Sequence, residues 1–137
     1  MTVQAERYLQ REILIRLRAS RLPVLAIPIP NSIYFPARTE AERRIIARVI
    51  GQMKNEGTIM PGASDLILIW ASGAACVEIK RPATSGLLGK RPAGRPSDAQ
   101  LAFAEDCAAV GVRYAIVESW EMLRQLLDVW GVGRQAA

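Results

Sequence analysis

The chain has 137 residues, half of them hydrophobic, and a formal net charge of +5 with 18 basic residues, 15 of which are arginine. This length is typical of one domain with one core. The absence of histidine excludes His-ligated zinc sites, Ser-His-Asp triads and nucleases with a histidine base. Hydrolytic chemistry would therefore depend on carboxylates, lysine and a hard metal ion. Arginine suits phosphate binding, but net charge alone does not identify nucleic acid as a partner.

No apolar run reaches the ~18 residues that a membrane-spanning helix requires. The charged start of the chain, Met1 to Arg11, also lacks the layout of a signal peptide. We therefore expect a cytoplasmic protein without a membrane partner. Cys76 and Cys107 lie in apolar stretches without metal-ligand spacing, which predicts two buried thiols.

Apolar residues at every fourth position predict a first helix from about Val3 to Ser20. Val24 to Ile29 is typical of a strand, which Pro28 restricts to a sheet edge or a strand end. Asn31 to Pro36 is typical of a loop. A second helix is predicted from about Thr39 to Asn55. Its apolar stripe consists of Ile45, Ile46, Val49, Ile50 and Met53.

Asp65 to Trp70 is a nearly continuous apolar run, which is typical of a strand buried on both faces. A tight connection at Ala71-Ser72-Gly73 and a second strand from Ala75 to Lys80 predict a hairpin. The segment from Arg81 to Pro96 is rich in glycine, proline and basic residues and contains no acidic residue. We interpret it as an exposed loop.

The rest of the chain predicts a helix from Asp98 to Ala109, a strand from Arg113 to Val117, and a last helix with an apolar face from Trp120 to Trp130. This order of elements predicts an α/β fold, with a mixed central sheet of about four strands flanked by helices. We expect a single domain over residues 1–130 and a frayed tail over residues 131–137.

Three ionisable residues converge at one end of the predicted hairpin. Asp65 begins the first strand, and Glu78 and Lys80, which share a face, end the second. If the turn lies near Ser72, the two carboxylates are almost opposite each other. A hard divalent cation relieves the repulsion between such carboxylates, with the backbone carbonyl of Ile79 as a further ligand. Lysine at this position would orient a water molecule or stabilise developing negative charge.

Each of these features also has an ordinary structural explanation. Glu-x-Lys on a strand is common as a solvated charge pair, and Asp65 after Pro-Gly-Ala-Ser is in a typical turn position. Ser97-x-x-Gln100 forms a capping box, so Gln100 either caps a helix or faces a metal. The basic segment after the hairpin is either a solvated linker or a contact for the phosphate backbone.

Three short motifs are specific in combination because of their order along the chain. They are Pro61-Gly62-Ala63-Ser64-Asp65-Leu66, Val77-Glu78-Ile79-Lys80-Arg81-Pro82 and Ser97-Asp98-Ala99-Gln100. Shorter matches accompany them at Ile29-Pro30-Asn31, Lys54-Asn55-Glu56-Gly57 and Ala109-Val110-Gly111. Together they resemble the VRR-NUC nucleases, a branch of the PD-(D/E)XK superfamily that is common as small phage and prophage proteins. The resemblance covers the chain from about Glu6 to Leu127.

The resemblance implies a PD-(D/E)XK core that hydrolyses DNA phosphodiesters with Mg²⁺ or Mn²⁺ and without a small organic cofactor. The family's metal-binding and catalytic positions are matched by Asp65, Glu78, Lys80, Gln100 and Glu6. The last of these matches the N-terminal acid, which reaches the metal directly or through water. Glu12 is the alternative, but it lies on another side of the first helix, whereas Glu6 shares a face with Gln10.

Small stand-alone members of the family are similar to Holliday-junction resolvases and tend to be homodimers. The resemblance thus implies an endonuclease for junctions, flaps or other branched DNA in phage or prophage replication, recombination or repair, within the bacterial cytoplasm. Candidate DNA-binding residues are Arg81, Lys90, Arg91, Arg95, Asn31 and Lys54. The segment after Lys80 is longer than the family leads us to expect. Two alternatives stay open: a non-catalytic DNA-binding or accessory module, and a structural α/β protein whose basic charge is incidental.

Overall fold

An antiparallel hairpin forms the centre of the fold, and one strand on each side extends it into a sheet. The computed structural model describes residues 2–30, 37–87 and 89–134. The predicted loop from Asn31 to Pro36 lies outside these residues.

Within the described residues the chain forms four helices, α1 (Thr2–Ala19), α2 (Glu40–Asn55), α3 (Asp98–Ala109) and α4 (Trp120–Val129). It also forms six strands, β1 (Val24–Pro28), β2 (Leu66–Trp70), β3 (Gly73–Ile79), β4 (Thr84–Gly86), β5 (Gly89–Arg91) and β6 (Arg113–Val117). Every helix and strand expected from the sequence is present, with bounds that differ by at most two residues. None of the helices in this part of the chain is long and apolar enough to cross a membrane.

The central sheet has four strands in the order β1-β2-β3-β6. The pairs β1-β2 and β2-β3 are antiparallel, whereas β3 and β6 are parallel because α3 connects them. Trp70 pairs with Gly73, so Ala71 and Ser72 form the two-residue connection of the hairpin. Strand β1 lies at a sheet edge, as Pro28 predicts. The expectation of a mixed four-stranded sheet flanked by helices is confirmed.

The hydrophobic core lies where α1 and α4 pack on one face of the sheet. Its buried members include Ile13, Leu17, Leu66, Leu68, Ala75, Val77, Ile79, Val117, Leu123 and Leu127. Because side chains alternate along a strand, the inward positions of Val77 and Ile79 direct Cys76 and Glu78 to the opposite face. Helix α3 covers that face beside β6, where Phe103 meets Tyr114 edge-on with ring centroids 6.2 Å apart.

Two expectations about the sheet and its surroundings are wrong. Strand β2 is not buried on both faces, because Ile69 is 42 % exposed. Helix α3 meets the sheet at Tyr114 in β6, at the far side of the sheet from β1, which leaves this part of β2 open. The segment after Lys80 is largely exposed, as expected, but it is not a loop throughout, because β4 and β5 form a small antiparallel hairpin in it. Gly89, with φ of +103°, has the backbone freedom that its turn requires.

The packed core reaches further along the chain than residue 130. Val132 is buried in the core, and Arg134 forms an exposed ion pair with Asp128 at 3.2 Å. Residues 135–137 lie outside the described part. Both thiols, Cys76 and Cys107, are free and buried, as the sequence predicts.

Candidate active site

The register of the central hairpin brings two carboxylates to one end of the sheet. Leu66 pairs with Val77, so Asp65 lies opposite Glu78. Asp65 Oδ2 accepts a hydrogen bond of 2.8 Å from the backbone nitrogen of Ile79. This bond holds the carboxylate of Asp65 against the end of β3, next to Glu78.

Glu78 and Lys80 form a buried ion pair. Glu78 is 2 % exposed and Lys80 is 8 % exposed. Lys80 Nζ lies 3.2 Å from Glu78 Oε1, and Gln100 Nε2 donates a hydrogen bond of 2.5 Å to the same oxygen. Glu78 Oε2 is also buried and has no hydrogen-bond partner in the described part of the chain. The burial of both side chains excludes the alternative that Glu78 and Lys80 form a solvated surface pair. Buried charges lower stability unless they are compensated.

The environment of Glu78 raises the pKa of its carboxyl from 4.5 to about 7. Burial is the largest cause, and the nearby negative charge of Asp65 adds to it. The charge and hydrogen bond of Lys80 act in the opposite direction, while the charge of Glu6 raises the pKa further. A group whose pKa is perturbed by burial and by named charged neighbours is typical of functional sites.

Gln100 caps α3, as one of the two alternatives from the sequence predicts, and its side chain also contacts Glu78. Its Oε1 accepts a hydrogen bond of 2.9 Å from the backbone nitrogen of Ser97, and Ser97 Oγ accepts one of 3.2 Å from the Gln100 nitrogen. These two bonds complete the capping box of α3. The amide nitrogen Nε2 is left to donate to Glu78. The start of α3 is therefore tied to the carboxylate pair by the same side chain that caps it.

The Pro61-Gly62 turn has a structural reason that links it to this helix. Gly62 has φ of +80°, and a side-chain carbon there would collide with the backbone of Ala99. The turn therefore packs directly on the first turn of α3. This close approach joins the segment that carries Asp65 to the helix that carries Gln100.

The two acids of α1 lie in different environments. A side-chain carbon on Gly94 would be 3.1 Å from Glu6 Oε1 and 3.3 Å from Lys80 Cδ, so Glu6 lies beside the lysine of the site. Glu12 instead forms an exposed ion pair of 3.1 Å with Arg16. The geometry thus brings Glu6 towards the site and leaves Glu12 outside it.

The donor set fits a hard divalent cation held mainly by two carboxylates. Among the side chains that are described, no group of three or more His, Cys, Asp or Glu residues is arranged to hold a metal ion. Mg²⁺ is commonly held by one or two carboxylates, with waters and substrate phosphates as its other ligands. The buried, unbonded Glu78 Oε2 is the atom that such a cation would compensate.

The predicted DNA-binding residues are distributed unevenly. Arg81 directly follows the site, and its Nη1 donates a hydrogen bond of 2.7 Å to the carbonyl of Pro92. Lys90 and Arg95 are exposed in the same segment. Arg91 belongs to β5, but its side chain is outside the described part, as is the whole of Asn31. Lys54 is exposed in the last turn of α2.

Tyr114 and Gly94 belong to the surroundings of the site but were not singled out from the sequence. Tyr114 pairs with Cys76 in the sheet, and its hydroxyl is buried without a hydrogen-bond partner among the described residues. Burial, followed by the charge of Glu78, raises the pKa of Tyr114 to about 12. A tyrosine in an apolar strand and a glycine in a Gly/Pro-rich segment carry no distinguishing sequence signal.

No family model, curated protein or solved structure matches this chain. The fold and site define a mixed α/β protein with a buried acid–lysine–glutamine cluster at the end of its central hairpin. Any narrower assignment depends on what these residues can do chemically.

Proposed function

We propose that this chain is a metal-dependent DNA endonuclease of the VRR-NUC branch of the PD-(D/E)XK superfamily. The observation that carries the proposal is the buried Glu78 carboxylate, which lies opposite Asp65 and is bonded to both Lys80 and Gln100. A solvated turn or surface pair would not require this burial. A mixed four-stranded sheet with helices on both faces is consistent with a PD-(D/E)XK core.

In this proposal Asp65 and Glu78 hold Mg²⁺ or Mn²⁺ together with the Ile79 carbonyl, and Glu6 reaches the metal directly or through water. Once bound, the cation would acidify a water molecule and neutralise charge on the phosphate. Lys80 stabilises the negative charge that develops on the phosphate oxygens during attack. Gln100 fixes the orientation of the Glu78 carboxylate. Hydrolysis breaks the P–O3′ bond and leaves a 5′-phosphate and a 3′-hydroxyl.

The proposed substrate is branched DNA, such as a Holliday junction or flap, in phage or prophage replication, recombination or repair in the bacterial cytoplasm. Exposed basic side chains in the segment after the catalytic strand support phosphate binding next to the site. The candidates are Arg81, Lys90, Arg91, Arg95, Asn31 and Lys54.

We propose a homodimer because paired incisions of a junction require two sites. The exposed apolar surface supports a protein partner. Helix α2 has no buried residue among those described, and its Ile45 and Val49 are exposed. Leu25 and Ile69, which pair across β1 and β2, are exposed as well. Exposed apolar side chains that cluster on one element are typical of interaction sites.

A second candidate function is a non-catalytic DNA-binding or accessory module on the same fold. The observation that favours it is the exposure of Lys90 and Arg95, because basic side chains bind phosphates without a metal ion. Such a module would bind DNA equally well in EDTA and would cut no DNA structure.

Cleavage of a panel of labelled DNA structures separates the two candidates. Four-way junction, flap, nicked and linear duplex DNA are incubated with the protein in Mg²⁺, Mn²⁺ or EDTA. We expect metal-dependent cleavage that is lost in Asp65→Asn and Lys80→Met. Glu6→Gln is compared with Glu12→Gln as its matched control, and only Glu6→Gln should slow cleavage. Both acids are on α1, but only Glu6 lies beside Lys80.

Each outcome of this panel favours one candidate. Metal-dependent cuts that both active-site variants lose would support the nuclease. A folded wild-type protein that binds DNA tightly and cuts none of the substrates would support the binding module.

A further inference from the structure

The hairpin formed by β4 and β5 carries a large apolar side chain at its tip. Thr84 pairs with Arg91, Ser85 with Lys90, and Gly86 with Gly89, so Leu87 lies in the turn. Leu87 is fully exposed to solvent. A single exposed apolar residue needs no explanation in itself. Leu87 is informative because of where it lies relative to the candidate active site and to the basic residues around it.

The stem of the hairpin is fixed to the wall of the candidate active site. Gly94 donates a backbone hydrogen bond of 3.1 Å to the Arg81 carbonyl, and Arg81 Nη1 donates one of 2.7 Å to Pro92. Gly94 also lies against the side chains of Glu6 and Lys80. With a rise of ~3.3 Å per residue, each three-residue strand carries the tip roughly 10 Å beyond this stem. The hairpin is therefore a projection from the site.

The positive charge around the hairpin is suited to binding a polyanion such as DNA. No acidic residue occurs between positions 81 and 96. Lys90 lies on the second strand of the hairpin, and Arg95 follows its stem, both with exposed side chains. Basic side chains near an apolar tip can hold phosphates while the tip meets the bases.

We propose that Leu87 is a wedge that inserts between base pairs at the branch point of DNA bound at the site. The proposal rests on the proposed function and deepens it, because it assigns the preference for branched DNA to one residue. Apolar wedges such as leucine unstack base steps and kink the duplex. Unstacking costs least where pairing is already interrupted, so the wedge favours a branch point over continuous duplex.

The test is the fluorescence of 2-aminopurine placed at the branch point of a four-way junction, which increases when the base unstacks. Protein is added at saturation in EDTA, so that the signal does not depend on cleavage. We expect wild type to raise the fluorescence and Leu87→Ser to lose the increase. We also expect the preference of Leu87→Ser for junction over linear duplex to fall about tenfold, which equals about 1.4 kcal/mol.

Two control variants separate the wedge from other effects. Val129→Ser removes another exposed apolar side chain, from α4, and should retain the full fluorescence increase. Lys90→Ala should weaken binding to all DNA and lower the slope of log affinity against log salt by ~0.9 for one lost phosphate contact. At saturation Lys90→Ala should still raise the fluorescence.

The results also distinguish failure of the wedge from failure of the proposed function. A fluorescence increase that Leu87→Ser retains would overturn the wedge, even if metal-dependent cleavage is present. An increase that depends on Leu87 in a protein that cuts no DNA would support the wedge and contradict the nuclease. No binding of wild type to any DNA would overturn both.

Discussion

At the scale of single residues, Gln100 shows how the site is held together. Its oxygen completes the cap of α3, and its nitrogen donates to the buried oxygen of Glu78 that Lys80 also contacts. Hydrogen bonds to charged groups are stronger than hydrogen bonds between neutral groups. One side chain therefore stabilises the helix start and the orientation of the carboxylate together.

Gln100→Ala should lower the rate of metal-dependent cleavage by about 10- to 100-fold, because a hydrogen bond to a charged group contributes about 1.5–3 kcal/mol and each 1.4 kcal/mol corresponds to about a factor of ten. Gln52→Ala is the matched control, since Gln52 donates a similar bond of 2.9 Å to Glu56 on the exposed surface of α2. The measurement is the single-turnover rate on the preferred DNA. Equal rates for both variants would show that Gln100 is only a cap.

Glu78 should make the metal-free protein less stable as the pH rises. Its pKa is about 7 in the folded chain, above the ordinary 4.5 that we assume when the chain is unfolded, so folding favours the protonated form. That contribution is fully present below pH 4.5 and is lost as the pH rises through 7. Urea unfolding in EDTA should therefore show the free energy of unfolding falling over this interval.

Glu78→Gln is the control for this pH dependence, because it keeps the shape of the side chain and removes its titration. We expect the fall in the free energy of unfolding between pH 4.5 and 7 to be smaller in Glu78→Gln than in wild type. Parallel curves for the two proteins would contradict the assignment of the pH dependence to this residue.

At the scale of elements, the N-terminus of α3 connects the Pro-Gly turn with the carboxylate pair. Gly62 packs on Ala99, while Ser97 caps the helix that presents Gln100. Helix α4 begins with a similar cap, in which Ser119 Oγ accepts a hydrogen bond of 3.1 Å from the backbone nitrogen of Met122. The cap of α4 lies on a helix of the core and away from the site. Its removal therefore measures the stability that is lost with a helix cap alone.

Ser97→Ala and Ser119→Ala should each lower the free energy of unfolding by about 1 kcal/mol, because each removes a cap. Only Ser97→Ala should also slow cleavage, since it loosens the turn that holds Gln100. The measurements are urea unfolding and cleavage rate for both variants. An equal loss of rate in the two would show that the effect comes from stability rather than from the position of α3.

The sequence predicted those elements whose signals are local. Ser97 and Gln100 mark the start of α3, so its bounds, Asp98–Ala109, agree with the prediction. The opposition of Asp65 and Glu78 followed from counting along a hairpin with a short turn. The burial of Glu78 by Lys80 and Gln100 did not follow, because it depends on how α3 packs against β3.

The hairpin of β4 and β5 and the exposure of β2 were missed for different reasons. Gly86 and Gly89 lower strand propensity, so a three-residue hairpin in a Gly/Pro-rich segment has the composition of a loop. The apolar run of β2 indicates a buried strand, but Ile69 is open because α3 covers a different part of the sheet. Burial of a face is a tertiary property that strand composition does not specify.

At the scale of the whole molecule, the distribution of apolar surface predicts a dimer. Ile45 and Val49 on α2 and Leu25 and Ile69 on the sheet are exposed, and none of the described side chains of α2 is buried. Helices α1 and α4 instead each bury one apolar face in the core. Ile45→Lys should therefore shift a dimeric protein towards monomer. Val129→Lys, on an exposed position of α4, should leave the mass unchanged.

Light scattering coupled to size-exclusion chromatography measures the molar mass of wild type and both variants directly. A monomeric wild type at micromolar concentration would contradict the dimer, as would an Ile45→Lys variant that remains dimeric while α2 is shown to be folded.

The most direct test of the central claim is the single-turnover cleavage of one labelled four-way junction by wild type and Asp65→Asn. Asparagine keeps the shape of the side chain and an oxygen for the bond to Ile79, so folding should be retained. We expect cleavage by wild type in Mg²⁺ or Mn²⁺, none in EDTA, and a loss of about 100-fold or more in Asp65→Asn. Equal rates in the two proteins, or cleavage that persists in EDTA, would contradict an active site built on Asp65 and Glu78.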